Sequence, residues 1–210
     1  YADRYDTIFY ISNGRIPVRD KNYNWKTTLP GNTSKTLWTD LHPLSNLPQV
    51  IQPKSGYVYN TNHSPFHSTF GSENPSIIDP TMGYETLENN RSMRFDELIK
   101  PLNKVSYEDF KRIKFDRQFP SSFYFPSKID TVFLLNSAEF PDLADIITQL
   151  SNWNRNSDAE SIGAGTFFFV QAAANKNKAL YLQNKSISKS LAAQLLREAK
   201  QTMLKDFGKT

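Results

Sequence analysis

The sequence predicts an α+β protein with a strand-forming, loop-rich first part and a mainly helical second half. Three observations lead to this prediction. Short apolar runs near the start of the chain alternate with turn-forming residues. A stretch rich in Asn, Pro, Ser, Thr and Gly then follows, from Arg19 to Pro75. After it, apolar residues recur at spacings of three and four positions, which is the period of an amphipathic helix.

The first predicted element is a β-hairpin within Tyr1 to Val18. Residues 7–11 and 16–18 contain the β-branched and aromatic residues of strands, and Ser12 to Arg15 between them are turn formers. The stretch that follows contains only brief extended pieces. Because a loop of this length is uncommon in a compact chain unless it has a function, the functional residues are best sought there.

Helices are predicted for most of the second half. Ser106 begins a Ser-Tyr-Glu-Asp pattern that can cap a helix, and Gly208 supplies a C-terminal stop for the last helix. For one segment periodicity alone allows strand or helix, and its alanine run favours helix. The predicted helical segments are residues 107–115, 141–152, 163–174 and 190–207. We divide the chain into residues 1–92 and a mainly helical region, residues 93–210.

Composition excludes several classes of function. The chain has no cysteine, so disulfides, zinc-thiolate sites and thiol nucleophiles are absent. The formal net charge of +4 comes from 25 basic and 21 acidic residues spread along the chain, an excess too small to indicate nucleic acid. The longest apolar runs fall far short of the roughly 20 residues needed to span a bilayer. We therefore expect neither a nucleic-acid nor a membrane partner.

Common catalytic motifs are also missing, among them the GxSxG elbow, the P-loop, the GxGxxG turn and the HExxH helix. His63 and His67 have the i, i+4 spacing that binds zinc on a helix. Pro65 lies between them, however, and no Glu follows His63. We interpret both as histidines of a surface loop and predict no metal site.

One candidate constellation is left, in the segment from Leu47 to Pro65. Asn60 and Asn62 stand at positions i and i+2, which point to the same face of an extended strand. A carboxamide N–H presented in this way is a good neutral donor to a developing oxyanion. By itself, however, an Asn-x-Asn pattern is more often turn chemistry.

A longer run of residues adds to this pattern. In order, it comprises Tyr1-Ala2-Asp3, Ile8-Phe9-Tyr10-Ile11, Gly14-Arg15-Ile16-Pro17, Leu29-Pro30-Gly31, Trp38, Leu47-Pro48-Gln49-Val50, Pro53, Ser55-Gly56-Tyr57-Val58, Asn60-Thr61-Asn62-His63-Ser64-Pro65 and, less specifically, Trp153 with Ser161-Ile162-Gly163-Ala164. This run resembles the penicillin acylase family of N-terminal nucleophile hydrolases, which includes acyl-homoserine-lactone acylases. The resemblance implies that the chain is a fragment of the large (beta) chain, with residues 1–92 in an αββα core.

The resemblance also implies roles for individual residues. In such enzymes a precursor cleaves itself, and the freed N-terminal serine attacks the substrate with its own α-amino group as general base. That serine would lie outside this chain. Asn62 is implied as the oxyanion donor and Arg91 as the arginine that orients it, with Arg94 as the nearby competitor. Some family members bind calcium, for which Glu73 is the matching carboxylate, but we predict no metal for this chain.

The expected reaction is hydrolysis of the acyl amide bond of penicillin-like or N-acyl-homoserine-lactone substrates. The fragment alone should be inactive, because its partners are the remainder of its own precursor, namely the small chain and the rest of the large chain. The family resemblance implies a periplasmic or secreted bacterial protein. The alternative is a non-catalytic helical interaction module, in which Asn60 to Pro65 is merely a turn.

Overall fold

The computed structural model describes residues 1–124, 128–177, 180 and 185–210. The chain folds into two compact units, Tyr1–Glu88 and Asn89–Thr210. Among the described residues, both strands lie in the first unit and all α-helices lie in the second. The predicted α+β class, with a loop-rich first part and a helical second half, is therefore confirmed. The proposed division after residue 92 and the αββα core stay predictions.

The sheet of the first unit consists of two short antiparallel strands, β1 (Phe9–Ile11) and β2 (Gln49–Ile51). Tyr10 lies opposite Val50, which is almost completely buried. The two strands are far apart in the sequence, so their pairing closes residues 12–48 into a long loop. Strand β1 thereby anchors the segment that leads into the Asn-x-Asn motif.

Strand β1 forms as predicted, but residues 16–18 are not its partner. Instead, the Val18 N–H donates to the Asp40 carbonyl (2.9 Å) and the His42 N–H donates to the Ile16 carbonyl (2.8 Å). Pro17 has no N–H with which to complete a ladder. Strand β2, by contrast, contributes a buried valine to the unit. The predicted hairpin is therefore confirmed for its first strand and wrong for its second strand.

The rest of the first unit is made of turns, in keeping with its Asn, Pro, Ser and Gly content. Single-turn 3-10 helices lie at Ser34–Thr36, Leu44–Asn46, Pro65–His67, Gly71–Glu73 and Pro80–Met82. Few side chains of this unit are fully buried. Its shape is therefore maintained largely by local hydrogen bonds between side chains and backbone.

The second unit contains α1 (Asn90–Ile99), α2 (Tyr107–Lys114), α3 (Ala144–Ser151), α4 (Ala164–Lys176) and α5 (Lys189–Phe207). The four predicted helices are confirmed as α2 to α5. Ser106 caps α2 through a reciprocal bond pair with Asp109, and Gly208 ends α5 with a φ of 70°. No helix within the described ranges is both long and apolar enough to cross a bilayer.

An aromatic cluster forms the centre of the second unit, where α4 packs against α5. The Phe167 ring centroid lies 4.6 Å from that of Phe123 and 4.8 Å from that of Trp153. Gly163 precedes α4 with a φ of 97°, and a Cβ there would lie 2.8 Å from the Trp153 Cβ and 3.0 Å from the Gln149 carbonyl oxygen. Only glycine allows this close approach of the chain to Trp153.

Candidate functional site

The Asn-x-Asn motif lies in a closed loop, residues 59–68, which we call the Asn62 loop. The Tyr59 N–H donates to the Ser68 carbonyl (3.0 Å), so the two ends of the loop meet. Ser64 is fully buried and caps the 3-10 turn at its centre by accepting from the Phe66 N–H at 3.2 Å. The loop therefore has a defined conformation although it contains no regular α-helix or strand.

Asn62 is exposed at the tip of this loop and has a φ of 58°. Asparagine is one of the few residues that adopts this left-handed conformation readily. Its backbone N–H donates to Asn60 Oδ1 at 2.9 Å, which makes the two asparagines an Asx turn. The prediction that both project from one face of a strand is thus wrong, because the Asn60 side chain folds back onto the backbone of Asn62.

Tyr10 connects this turn to the sheet. Burial raises the pKa of the Tyr10 hydroxyl, while its hydrogen bonds with the side chains of Asn60 and Ser12 act in the opposite direction. A second phenol, Tyr84, donates to the Ser12 carbonyl at 3.0 Å. The Asn60 side chain is therefore in contact with both the Asn62 backbone and a phenol on β1.

His63 packs inside the Asn62 loop. It is only 8% exposed, and its ring stacks on Tyr59 with centroids 4.7 Å apart. Nδ1 lies 3.0 Å from the Thr61 N–H nitrogen, and Nε2 lies 2.8 Å from the His67 carbonyl oxygen. The interpretation as a surface histidine is thus wrong for His63, because both ring nitrogens bind groups of the loop itself.

Glu73, the carboxylate that the resemblance connects with calcium, stabilises a neighbouring turn. Its two oxygens accept from the N–H groups of Lys54 (2.7 Å) and Ser55 (3.1 Å). Across the part of the chain that the structure describes, no three His, Asp or Glu side chains are grouped so that they could hold a metal ion. Both oxygens of Glu73 are thus used in hydrogen bonds to the backbone of the neighbouring turn.

Arg91 lies in the second unit, in the first turn of α1, and is exposed. The helix is capped by Asn89, whose side chain accepts from the Ser92 N–H, and its first turn contains no acidic residue. A cation at this position faces the positive end of the helix dipole. The helix dipole therefore does not favour a cation at position 91.

Arg94, the competing arginine, has a structural role. Its Nε and Nη2 donate to the two carboxylate oxygens of Asp116 at 2.8 and 3.0 Å, and its Nη1 donates to Glu97 at 3.0 Å. These bonds, above all those with Asp116, raise the pKa of Arg94 and lower that of Asp116. The guanidinium is thus engaged by two carboxylates of its own unit.

Sequence reasoning missed Tyr10, Tyr84 and the internal role of His63. Tyr10 belongs to a strand whose partner is distant in the sequence, so no local pattern marks its contact with Asn60. His63 was noticed for its spacing from His67, but that spacing was weighed only as a metal motif. Pro65 between them was the useful signal, since a proline-started turn brings the His67 carbonyl back toward residue 63.

The structure thus places Asn62 as an exposed residue on a closed loop that its neighbours Asn60 and His63 shape. The comparison with known proteins identifies the family. Residues 1–208 match the model of the penicillin amidase family, and the chain belongs to that family.

One relative is penicillin G acylase from Escherichia coli, which is 38% identical to this chain over 65 residues. The aligned part amounts to 31% of this chain and 8% of that protein. The chain is therefore compared with only a small part of the curated relative.

Proposed function

We propose that this chain is the oxyanion-stabilising part of a penicillin-acylase-like acyl amide hydrolase, whose serine nucleophile lies outside residues 1–210. Membership of the penicillin amidase family supports acyl amide hydrolysis in general. The observation that carries the finer proposal is the geometry of Asn62, which is exposed and neutral. The Asn60 side chain binds its backbone N–H, and the His63 side chain binds the N–H of the preceding residue, Thr61.

In this mechanism the serine Oγ attacks the amide carbonyl while the serine α-amino group accepts the hydroxyl proton. The carbonyl oxygen becomes negative as the tetrahedral intermediate forms. The Asn62 side-chain N–H donates to that oxygen, and because the carboxamide carries no charge its donor strength does not depend on pH. Collapse of the intermediate breaks the C–N bond, and the amine leaves with the proton from the α-amino group. Water then releases the acid from the acyl-enzyme.

The substrates we propose are acyl amides with a penicillin-like nucleus or an N-acyl homoserine lactone as the leaving amine. Arg91 is proposed to orient Asn62 and the serine amino terminus in the assembled protein. The proposed partners are the remaining parts of the same precursor, and the proposed location is the bacterial periplasm or the medium. These assignments extend the family relationship and depend on the Asn62 role.

The test uses the complete, self-cleaved protein and a chromogenic phenylacetyl or long-chain acyl amide. Asn62→Asp keeps the size of the side chain, and aspartate also tolerates the left-handed backbone conformation. The substitution removes the side-chain N–H donors. Loss of one oxyanion donor typically lowers kcat by about 100- to 1000-fold, and this is the expected result. Asn32→Asp is the matched control, because Asn32 is an exposed loop asparagine of the same unit.

Two outcomes would contradict the proposal. If Asn62→Asp and Asn32→Asp both retain wild-type kcat, then residue 62 stabilises no oxyanion. If the complete protein hydrolyses neither amide, then the substrate class is wrong and the interaction-module alternative is favoured. The isolated chain of residues 1–210 should hydrolyse neither amide, and activity in it would place the nucleophile within these residues.

A further inference from the structure

The imidazole of His63 contacts the backbone both before and after Asn62. On one side its Nδ1 lies 3.0 Å from the backbone nitrogen of Thr61 and 3.0 Å from Thr61 Oγ1. On the other side its Nε2 lies 2.8 Å from the carbonyl oxygen of His67. The side chain of residue 63 thus binds the residue before Asn62 and the last residue of the following 3-10 turn.

The partners of the two nitrogens define the protonation state that suits this position. A backbone N–H can only donate, so Nδ1 must present its lone pair to Thr61. A carbonyl oxygen can only accept, so Nε2 must carry the proton toward His67. The neutral Nε2–H tautomer satisfies both contacts at once. A ring protonated on both nitrogens would direct an N–H at the N–H of Thr61.

Two hydrogen bonds restrict the backbone at Asn62 and at the residue before it. Asn60 Oδ1 accepts from the N–H of residue 62, and His63 Nδ1 accepts from the N–H of residue 61. The first bond joins residues 60 and 62 and the second joins residues 61 and 63, so the two overlap along the chain, and Asn62 within the overlap has a φ of 58°. Since His63 is 8% exposed and stacked on Tyr59, its ring is a rigid anchor rather than a freely rotating side chain.

We infer that His63 is a positioning residue, which orients the Asn62 carboxamide by holding the Thr61 N–H through its unprotonated Nδ1. This inference rests on the proposed oxyanion role of Asn62. His63 itself touches neither substrate nor nucleophile in this scheme. Its effect is to fix the direction in which the Asn62 side chain leaves the loop, and a displacement of the order of 1 Å in such a group is enough to impair catalysis.

A pair of substitutions separates positioning from simple structural support. In His63→Asn, the side-chain oxygen occupies the δ position and can accept from the Thr61 N–H, but it cannot reach His67. In His63→Gln, the amide N–H occupies the ε position and can reach the His67 carbonyl, but the acceptor for Thr61 is lost. His63→Asn loses the contact with His67, His63→Gln loses both contacts with Thr61, and both variants lose the ring stacking on Tyr59. The melting temperature is therefore measured beside kcat, to separate a loss of stability from a loss of positioning.

The experiment measures kcat, KM and melting temperature for His63→Asn, His63→Gln and His63→Ala in the complete, self-cleaved protein, with the same chromogenic amide. The expected kcat is lower by about tenfold in His63→Gln and His63→Ala, and within about threefold of wild type in His63→Asn, with KM little changed in all three. If His63→Ala does not fold, the comparison of the Asn and Gln variants carries the test.

The remaining outcomes overturn either the role of His63 alone or the oxyanion role of Asn62 with it. Equal kcat values for His63→Asn and His63→Gln overturn the inference, since the Thr61 contact would then be irrelevant to catalysis. A wild-type kcat in His63→Gln overturns it as well. In both cases a large loss of kcat in Asn62→Asp would leave the oxyanion proposal intact. A wild-type kcat in Asn62→Asp would remove that proposal and this inference together.

Discussion

The side-chain oxygen of Asn60 accepts a 2.9 Å hydrogen bond from the backbone N–H of Asn62, and Asn62 takes a left-handed φ of 58°. Asn60 thus shapes the turn, and Asn62 is exposed. Under the proposed function, the motif combines turn chemistry at Asn60 with a hydrogen-bond donor at Asn62, so the two interpretations of the sequence apply to different residues.

The left-handed conformation of Asn62 makes alanine a misleading probe at this position. Glycine adopts a φ of 58° without strain, whereas alanine pays a steric penalty from its Cβ. We expect Asn62→Ala to be less stable than Asn62→Gly by about 1 kcal/mol. Urea unfolding of both variants measures the difference. Equal stabilities would mean that the loop relaxes to a negative φ when the asparagine is removed.

The two neighbouring arginines should respond in opposite ways to replacement by alanine. Arg94→Ala leaves Asp116 and Glu97 without their cation and should destabilise the second unit by about 2 kcal/mol. Arg91→Ala removes an exposed cation from the positive end of the helix dipole and should destabilise the second unit less than Arg94→Ala does. If Arg91 orients Asn62, its loss should lower kcat about tenfold. Thermal unfolding and amidase kinetics measure the stability and the kcat of both variants. A kcat that falls in Arg94→Ala but not in Arg91→Ala would contradict the proposed role of Arg91.

The Arg94–Asp116 pair predicts a specific acid sensitivity. Hydrogen bonding from Arg94 is the main cause that lowers the pKa of Asp116 in the folded protein. A carboxyl whose folded pKa is depressed adds stability above its unfolded value of about 3.9, and loses that contribution as the pH falls through the folded value. The unfolding free energy should therefore decrease from about pH 5 downward, and by less in Arg94→Ala. Urea midpoints at pH 6 and pH 3 test this, and equal pH losses in both proteins would contradict it.

Gly163 and Gly165 form a matched pair at the start of α4. A Cβ at residue 163 would meet Trp153 and the Gln149 carbonyl at a φ of 97°, whereas a Cβ at residue 165 would meet nothing within 4 Å. Gly163→Ala should therefore cost at least about 2 kcal/mol. Gly165→Ala should stabilise the helix by about 0.5 to 1 kcal/mol. Melting temperatures that shift in the same direction in both variants would contradict the close approach of residue 163 to Trp153.

The parts of the fold that were predictable from sequence are those with local causes. Ser106 and Gly208 mark helix ends because caps involve residues three or four positions apart. The partner of β1 was not predictable in this way, since strand pairing across a long loop depends on which apolar residues become buried together. His63 illustrates another limit, because its partners are close in sequence but the turn that brings them together has no periodic signature.

The candidate site also contains some features that the sequence predicted and others that only the structure shows. The residue type at position 62 indicated a neutral donor on chemical grounds, but its role and that of Arg91 came from the family resemblance. The structure adds what neither source contained, namely the Asx turn at Asn60, the phenol of Tyr10 beside it and the internal bonds of His63. The structural role of Arg94 likewise required its observed contacts with Asp116.

The pairing of β1 with β2 also indicates where the chain can change in length without disturbing the sheet. The strands enclose residues 12–48, and within them nearly all side chains from Lys26 to Lys35 are exposed. Because the entropy of loop closure costs only about 0.6 kcal/mol for each doubling of loop length, insertions there would disturb neither the sheet nor the Asn62 loop. The length of the chain between Lys26 and Lys35 is therefore only weakly constrained by the sheet, so a graft at this position should leave the pairing of β1 with β2 intact.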